Sequence, residues 1–190
     1  QQNDLQAVGP SRRVLGIIRP TAECIGQLTT SRHVGIVATP GTIKSESYQL
    51  EISKLFPDIT VTGEACPMWV PLVENYEFDS PGADYFVKKR INNLLRKDHE
   101  IDAIILGCTH YPLLINKILK YVPAGVKIIP QGEYVANSLK EYFVRHPEME
   151  KQCTHGGKCL YMTTESPEKF KESAQVFLHE QVEVSHIDLE

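Results

Sequence analysis

An α/β fold, with a parallel sheet flanked by helices, is predicted by three observations. The runs Val34 to Ala38, VGIVA, and Ile101 to Leu106, IDAIIL, lack the polar alternation of a half-exposed strand and read as strands buried on both faces. Between them Phe86 to Arg96 carries Phe86, Val87, Ile91, Leu94 and Leu95 at roughly helical spacing. Strand and helix then alternate along the chain, which predicts parallel strands joined by right-handed crossovers.

Gln1 to Arg13 is polar, contains Gly9 and Pro10, and reads as a linker. Val14 to Ile18, VLGII, reads as a strand ending at Arg19-Pro20, with Thr21 capping a short helix that carries Cys24, Ile25 and Leu28. After Val34 to Ala38, Thr39 or Thr42 caps a helix with Ile43, Tyr48, Leu50, Ile52 and Leu55. Ile59 to Gly63, with Glu64 and Ala65, is a third strand, and CPMWVPLVEN after it reads as a proline-punctuated loop. The strand at 101–106 ends at Gly107, and Pro112 fits the first turn of a helix over Leu113 to Tyr121. Val126 to Ile129 is a further strand and Tyr134 to Phe143 a helix, followed by polar connection over His146 to Gly157. Leu160 to Thr163 and Val182 to Ile187 read as strands on either side of a helix, Pro167 to His179, with Phe170, Ala174, Phe177 and Leu178 inward.

With 42% hydrophobic and 23% charged residues in 190, the composition is that of an ordinary globular protein of one or two domains. A net charge of -4 without a basic block gives no electrostatic footprint for nucleic acid or an anionic membrane. No apolar run reaches the roughly 18 residues of a membrane span, and residues 1–13 are too polar for a signal peptide, so a cytoplasmic location is expected. Five cysteines at irregular spacing argue against a disulfide framework. Cys153, His155 and Cys159 resemble half of a metal site, but no second pair follows, and CTHGGKC reads as a polar hairpin turning at Gly156-Gly157. No metal is expected.

Chemistry is expected at GCTHYP, where the buried strand delivers Cys108, Thr109 and His110 in succession. In open α/β sheets ligands bind at the carboxyl ends of the strands. A helix N-terminus after Cys108 would favour its thiolate and could hold a substrate carboxylate, with His110 assisting proton transfer. The bland alternative is an inert buried thiol. Cys66, in a loop with no adjacent base, reads as such a core thiol, and Glu74 on residue type alone is a solvated loop carboxylate.

ILGCTHYPLL, together with IGQLTTSRHVGIVATPGTIKS, ACPMWVPLVE and YMTTESPEKF, resembles the glutamate racemases of the aspartate/glutamate racemase superfamily over about residues 14–189. The resemblance implies two similar α/β domains with the active site between them, each supplying one catalytic cysteine. It makes Cys108 the second of these, with Thr109 and His110 binding the substrate and tuning the thiol and Glu74 supporting that side. Residues 1–13 then form a linker or remnant of the first domain, residues 14–129 the second domain, and residues 130–190 the segment returning to the first. The implied activity is interconversion of L- and D-glutamate by two-base proton transfer, which supplies D-glutamate for peptidoglycan and uses no cofactor.

Several family features are not found in these residues. The aspartate-serine motif of the first strand, a later tyrosine-glycine pair and the Cys-Asn-Thr sequence of the first catalytic cysteine are absent from the sequence, and Gln131-Gly132 replaces a more usual short polar pair. Moving a proton from one face of a carbon to the other needs an acid and a base on opposite sides. The 190 residues alone are therefore expected to be inactive, and to self-associate through apolar positions such as Ile128, Leu160 and Phe177, a homodimer being one outcome. Two rival readings are a non-catalytic ligand-binding or regulatory module that keeps the fold, and a Cys-His hydrolase, which would need an orienting third group and an oxyanion hole.

Overall fold

The computed structural model describes residues 14–189. The chain divides into two compact units, the first running to Tyr142 and the second spanning Phe143–Glu190.

The first unit is built on four parallel strands, β1 (His33–Ala38), β2 (Thr60–Ala65), β3 (Ala103–Leu106) and β4 (Lys127–Pro130), in the order β2-β1-β3-β4. Val34 pairs with Ala103 and Ile36 with Ile105 in the centre, while Ala103 pairs with Lys127 on the far side. All four residues of β3 are buried, as are five of the six in β1, which is why these two read as unbroken apolar runs. Helices α1 (Ile18–Leu28), α2 (Pro40–Ser45), α3 (Ser47–Leu55), α4 (Trp69–Glu74), α5 (Pro81–Lys97) and α6 (Ile115–Tyr121) complete the alternation. The core cluster joins Ala22 and Ile25 of α1, Tyr48 and Ile52 of α3 and Val34, Ile36, Ala103, Ile105 and Ile129 of the sheet. On α5, Val87, Ile91 and Leu94 are fully buried, and Leu94 lies so close to the sheet that a Cβ on Gly35 would stand 2.7 Å from its Cδ2.

Polar side chains lock the end of the sheet where these strands begin. Asp102 accepts from Thr29 Oγ1 at 2.5 Å, from the Thr30 and Ser31 backbone N–H groups at 2.6 and 2.8 Å, and from Thr30 Oγ1 at 2.8 Å. Burial works against its charge, but these hydrogen bonds outweigh it and hold the carboxyl well below the usual carboxylate range. His33, at the start of β1, has Nδ1 2.8 Å from Asp98 and Nε2 2.9 Å from Glu100, and the Asp98 hydrogen bond raises its pKa.

Several expected elements differ. Val14 to Ile18 is not a strand: α1 begins at Ile18, because Ile18, Ala22 and Ile25 recur at helical spacing and bury one face against the core. Thr21 is consequently not a cap but a fully buried residue within that helix. The single helix expected after Thr39 is two helices, split at Glu46, which takes a left-handed conformation at φ 51°. Thr39 does cap the first, its Oγ1 accepting from the Thr42 N–H at 3.4 Å. Of the apolar residues in this stretch, Tyr48 and Ile52 are buried and Leu50 is half exposed. The supposed loop at 66–75 contains α4, whose Pro71 lies early enough not to break a helix of six residues. The helix at 86–96 begins earlier, at Pro81, where Ser80 Oγ accepts from the Ala83 N–H at 3.2 Å.

Helix α7 (Gly132–Arg145) contains the boundary between the units, which therefore lies beyond residue 130. Its Tyr134 packs on the first unit's core. In the second unit, α8 (Pro147–Glu150) is followed by β5 (Tyr161–Thr163), α9 (Pro167–Leu178) and β6 (Val184–His186), with β5 and β6 parallel. Ser166 caps α9 by accepting from the Lys169 N–H at 3.2 Å, and the Tyr161 and Phe170 rings lie 6.1 Å apart. Ala174 and Val182 are buried, but Leu178, expected inward, is exposed at the end of the helix. Gly156 and Gly157 adopt φ of 107° and 66°, as a turn requires, yet no strands flank them, so the expected hairpin is not formed. The linker expected over residues 1–13 lies outside the described residues.

Candidate active site

The carboxyl ends of β1 and β3 converge on Gly107, whose N–H donates to the Val37 carbonyl at 2.8 Å. A Cβ at Gly107 would come within 3.0 Å of Ala38 Cβ, 3.2 Å of the Val37 oxygen and 3.4 Å of the Tyr48 ring, so the strand end is tightly packed around the glycine. The chain then turns through Cys108, Thr109 and His110. The Tyr111 N–H bonds back to the Cys108 carbonyl at 3.2 Å, and that of Leu113 to the His110 carbonyl at 3.1 Å. The helix expected over Leu113 to Tyr121 begins two residues later, at Ile115. A 3₁₀ turn, Tyr111–Leu114, leads into α6, because Pro112 enters a tight turn and the buried Tyr111 and Leu114 anchor it.

Tyr111 is the anchor that places the site. Its ring packs edge-on against Trp69 with centroids 4.7 Å apart, and its hydroxyl donates to the Cys66 carbonyl at 3.1 Å. Burial, then the neighbouring Cys66 and Cys108 thiols, push its pKa up, so it remains a donor. Trp69 opens α4 and Glu74 closes it. Anchoring Tyr111 on Trp69 therefore brings Glu74 to the Cys108 turn, although 34 positions separate them in sequence.

Three of the expected site residues form a line. Cys108 Sγ lies 3.8 Å from His110 Nδ1, and His110 Nε2 lies 3.3 Å from Glu74 Oε1. A carboxylate accepts only, so it favours a hydrogen on Nε2 and leaves Nδ1 of a neutral imidazole free to take the thiol proton. Glu74 is 61% exposed and His110 32%, which makes the ion pair an orienting contact more than a source of stability. Thr109 faces a different neighbour. With Cys108 it lines a cavity of about 290 Å³ whose wall also includes Ile17, Leu106, Pro112 and Gln131, but neither His110 nor Glu74. A wider concavity of about 430 Å³ runs along α5 past Lys89, Arg96 and His99 and contains none of these groups.

The other thiols are placed differently. Cys66 is buried, and burial followed by the charge of Glu64 pushes its thiol far up. Cys24 is half-buried and also raised, mainly by burial. Cys153 and Cys159 are exposed, and among the described residues no group of three His, Cys, Asp or Glu side chains gathers to hold a metal. Sequence reasoning missed Trp69, Tyr111 and Gln131. The first two signal themselves only as large aromatics on either side of the site.

Fold and site together define a parallel-sheet α/β protein that presents a thiol, with an imidazole beside it, at a strand end. Residues 11–139 match the model of the Asp/Glu/Hydantoin racemase family. The chain belongs to that family. It is 39% identical over 180 residues to a glutamate racemase of Streptococcus agalactiae and 36% identical over 179 residues to one of Streptococcus uberis. Each match covers 93% of this chain and 66% of the relative, so the chain spans just under two thirds of their length. Among solved structures it resembles a glutamate racemase of Bacillus anthracis, with a TM-score of 0.86 and 32% identity over 98% of this chain and 68% of that one. A glutamate racemase of Francisella tularensis in complex with D-glutamate gives 0.83 and 26%, with the same coverage.

Proposed function

We propose that this chain is the Cys108-bearing part of a glutamate racemase. The observation that carries the reading is the line Cys108–His110–Glu74 at a strand end whose cavity is also lined by Thr109. Cys108 exchanges the α-proton on one face of glutamate, His110 exchanges the proton of Cys108, and Glu74 orients the imidazole. Thr109 and His110 bind the substrate. The reaction draws on no cofactor, so the carbanion is stabilised by hydrogen bonds to the substrate carboxylate and by exclusion of water.

The opposing thiol comes from the third of the relatives' length that this chain does not span, and the segment returning to that part, expected from residue 130, leaves the first unit within α7. A cytoplasmic location and supply of D-glutamate to peptidoglycan follow from the same reading. Support for the compartment comes from five cysteines that are all free. Among the described residues no helix is long and apolar enough to cross a membrane.

Cys108→Ser in the product of the complete reading frame tests the proposal. Racemisation should fall in both directions by about 10²–10⁴-fold, the range of a general acid–base group, and exchange of the α-hydrogen with solvent deuterium should fall with it. Racemisation indifferent to the substitution removes Cys108 from the chemistry.

A further inference from the structure

A hydrogen-bonded knot centred on Gln131 adjoins the Cys108 cavity. Gln131 stands between the end of β4 and the start of α7. Its Nε2 donates to the Leu106 carbonyl at 2.9 Å, and its Oε1 accepts from Tyr48 Oη at 2.8 Å and from Thr21 Oγ1 at 3.1 Å. The orientation of the amide follows from the partners. The Leu106 carbonyl can only accept, so nitrogen must face it, and both hydroxyls must then donate to the oxygen. Thr21 and Tyr48 are 0% and 2% exposed, so neither hydroxyl has water as an alternative partner.

One carboxamide thus gathers α1, α3, β3 and the end of β4. It touches the reactive turn where that turn begins, because Leu106 is the last residue of β3 and the Tyr48 ring closes on Gly107. Leu106, Cys108 and Gln131 also line the same cavity. An uncapped carbonyl oxygen there would present negative partial charge to the thiol and to any anionic ligand. The Nε2 hydrogen offsets that charge, and the side chain brings no net charge of its own.

We propose that Gln131 is a positioning residue for Cys108: it fixes the strand end that carries the thiol and caps the Leu106 carbonyl, keeping the cavity neutral around the thiol. The proposal rests on Cys108 being the reactive thiol. It differs from a purely structural role because it makes the residue's charge and donor capacity, as well as its packing, matter to thiol reactivity.

Mass-resolved alkylation of the protein by iodoacetamide, followed against pH, separates these possibilities. Gln131→Glu keeps the shape, loses the donor and adds a negative charge. It should move the midpoint of the Cys108 profile up by about one unit. Below the midpoint Cys108 should then react about tenfold more slowly. Gln131→Met, neutral and of similar length, should move it in the same direction by less. A lowered melting temperature with unmoved profiles in both variants overturns the proposal. Should neither variant fold, the unsubstituted protein decides, since the Gln131 side-chain amide resonances should shift when Cys108 is alkylated, and unmoved resonances overturn it equally. A Cys108 slower than Cys24 and Cys66 in the unsubstituted protein strikes the reading of Cys108 itself, whereas a fast Cys108 indifferent to residue 131 strikes only the assignment of Gln131.

Discussion

Strands β1 and β3 and strands β5 and β6 are all parallel, and each pair is joined through at least one helix, yet they are covered very differently. In the first pair ten residues include nine that are buried, with apolar side chains packed on both faces. In the second, none of the six is buried, and Met162 is 54% exposed. Val144, Leu160 and Leu189 of the same unit are between 73% and 80% exposed. Parallel sheets are ordinarily covered on both faces, and two strands alone rarely hold together in water. The first unit thus carries its own core, while the second has the connectivity of a β-α-β unit without comparable burial. Secondary structure and burial are separable properties here.

Substitution should expose the contrast most strongly. Ile105→Ala empties a site that is 0% exposed on an inner strand and should cost about 2–5 kcal/mol in chemical denaturation. Met162→Ala on β5 should cost under about 0.5 kcal/mol. Equal costs would mean that β5 is covered in solution, by self-association or otherwise, and the contrast would fall.

A second, smaller effect should appear in the shape of unfolding. The chain has one tryptophan, Trp69, in the first unit, so its emission reports that unit, whereas far-ultraviolet circular dichroism reports both. The dichroism should begin to fall at a urea concentration lower by about 1 M than the emission transition. Coincident curves would show a single cooperative structure.

The smallest effect concerns pH. Pairing with Asp98 and Glu100 raises the His33 pKa, so this contribution is fully present below the unfolded value of about 6.5 and is lost as pH rises through the folded one. The emission midpoint should therefore decline across that window, and His33→Gln should flatten the decline. A slope unchanged by the substitution would assign the pH dependence to other groups.

The inner strands and the Cys108 turn were legible in the sequence because burial on both faces leaves an unbroken apolar run, and Gly107 stops it where the backbones crowd. VLGII has similar composition, but among the described residues no strand pairs with it, and helical spacing from Ile18 onward prevails. Pro71 concealed α4, since a proline in the first turn of a short helix resembles one in a loop. Glu74 was reached through family resemblance, and the aromatic contact that positions it depends on tertiary packing alone. Gln131 stood out only as a departure from the family's usual pair, and its role was hidden because its partners Thr21, Tyr48 and Leu106 lie 110, 83 and 25 positions away.

The crowding at Gly107 also limits how this pocket can be re-engineered. A Cβ at 107 would meet Ala38 Cβ at 3.0 Å and the Val37 backbone oxygen at 3.2 Å, so even alanine requires its neighbours to give by a few tenths of an ångström. Variation at this position would act on the packing of the strand ends, since Gly107 is not among the residues lining the cavity. Variation directed at Ile17, Thr109 and Val135, which line the cavity, alters its volume and polarity while leaving the paired strand ends in register. The shape of the cavity is therefore open to change through the side chains that line it, with the glycine kept.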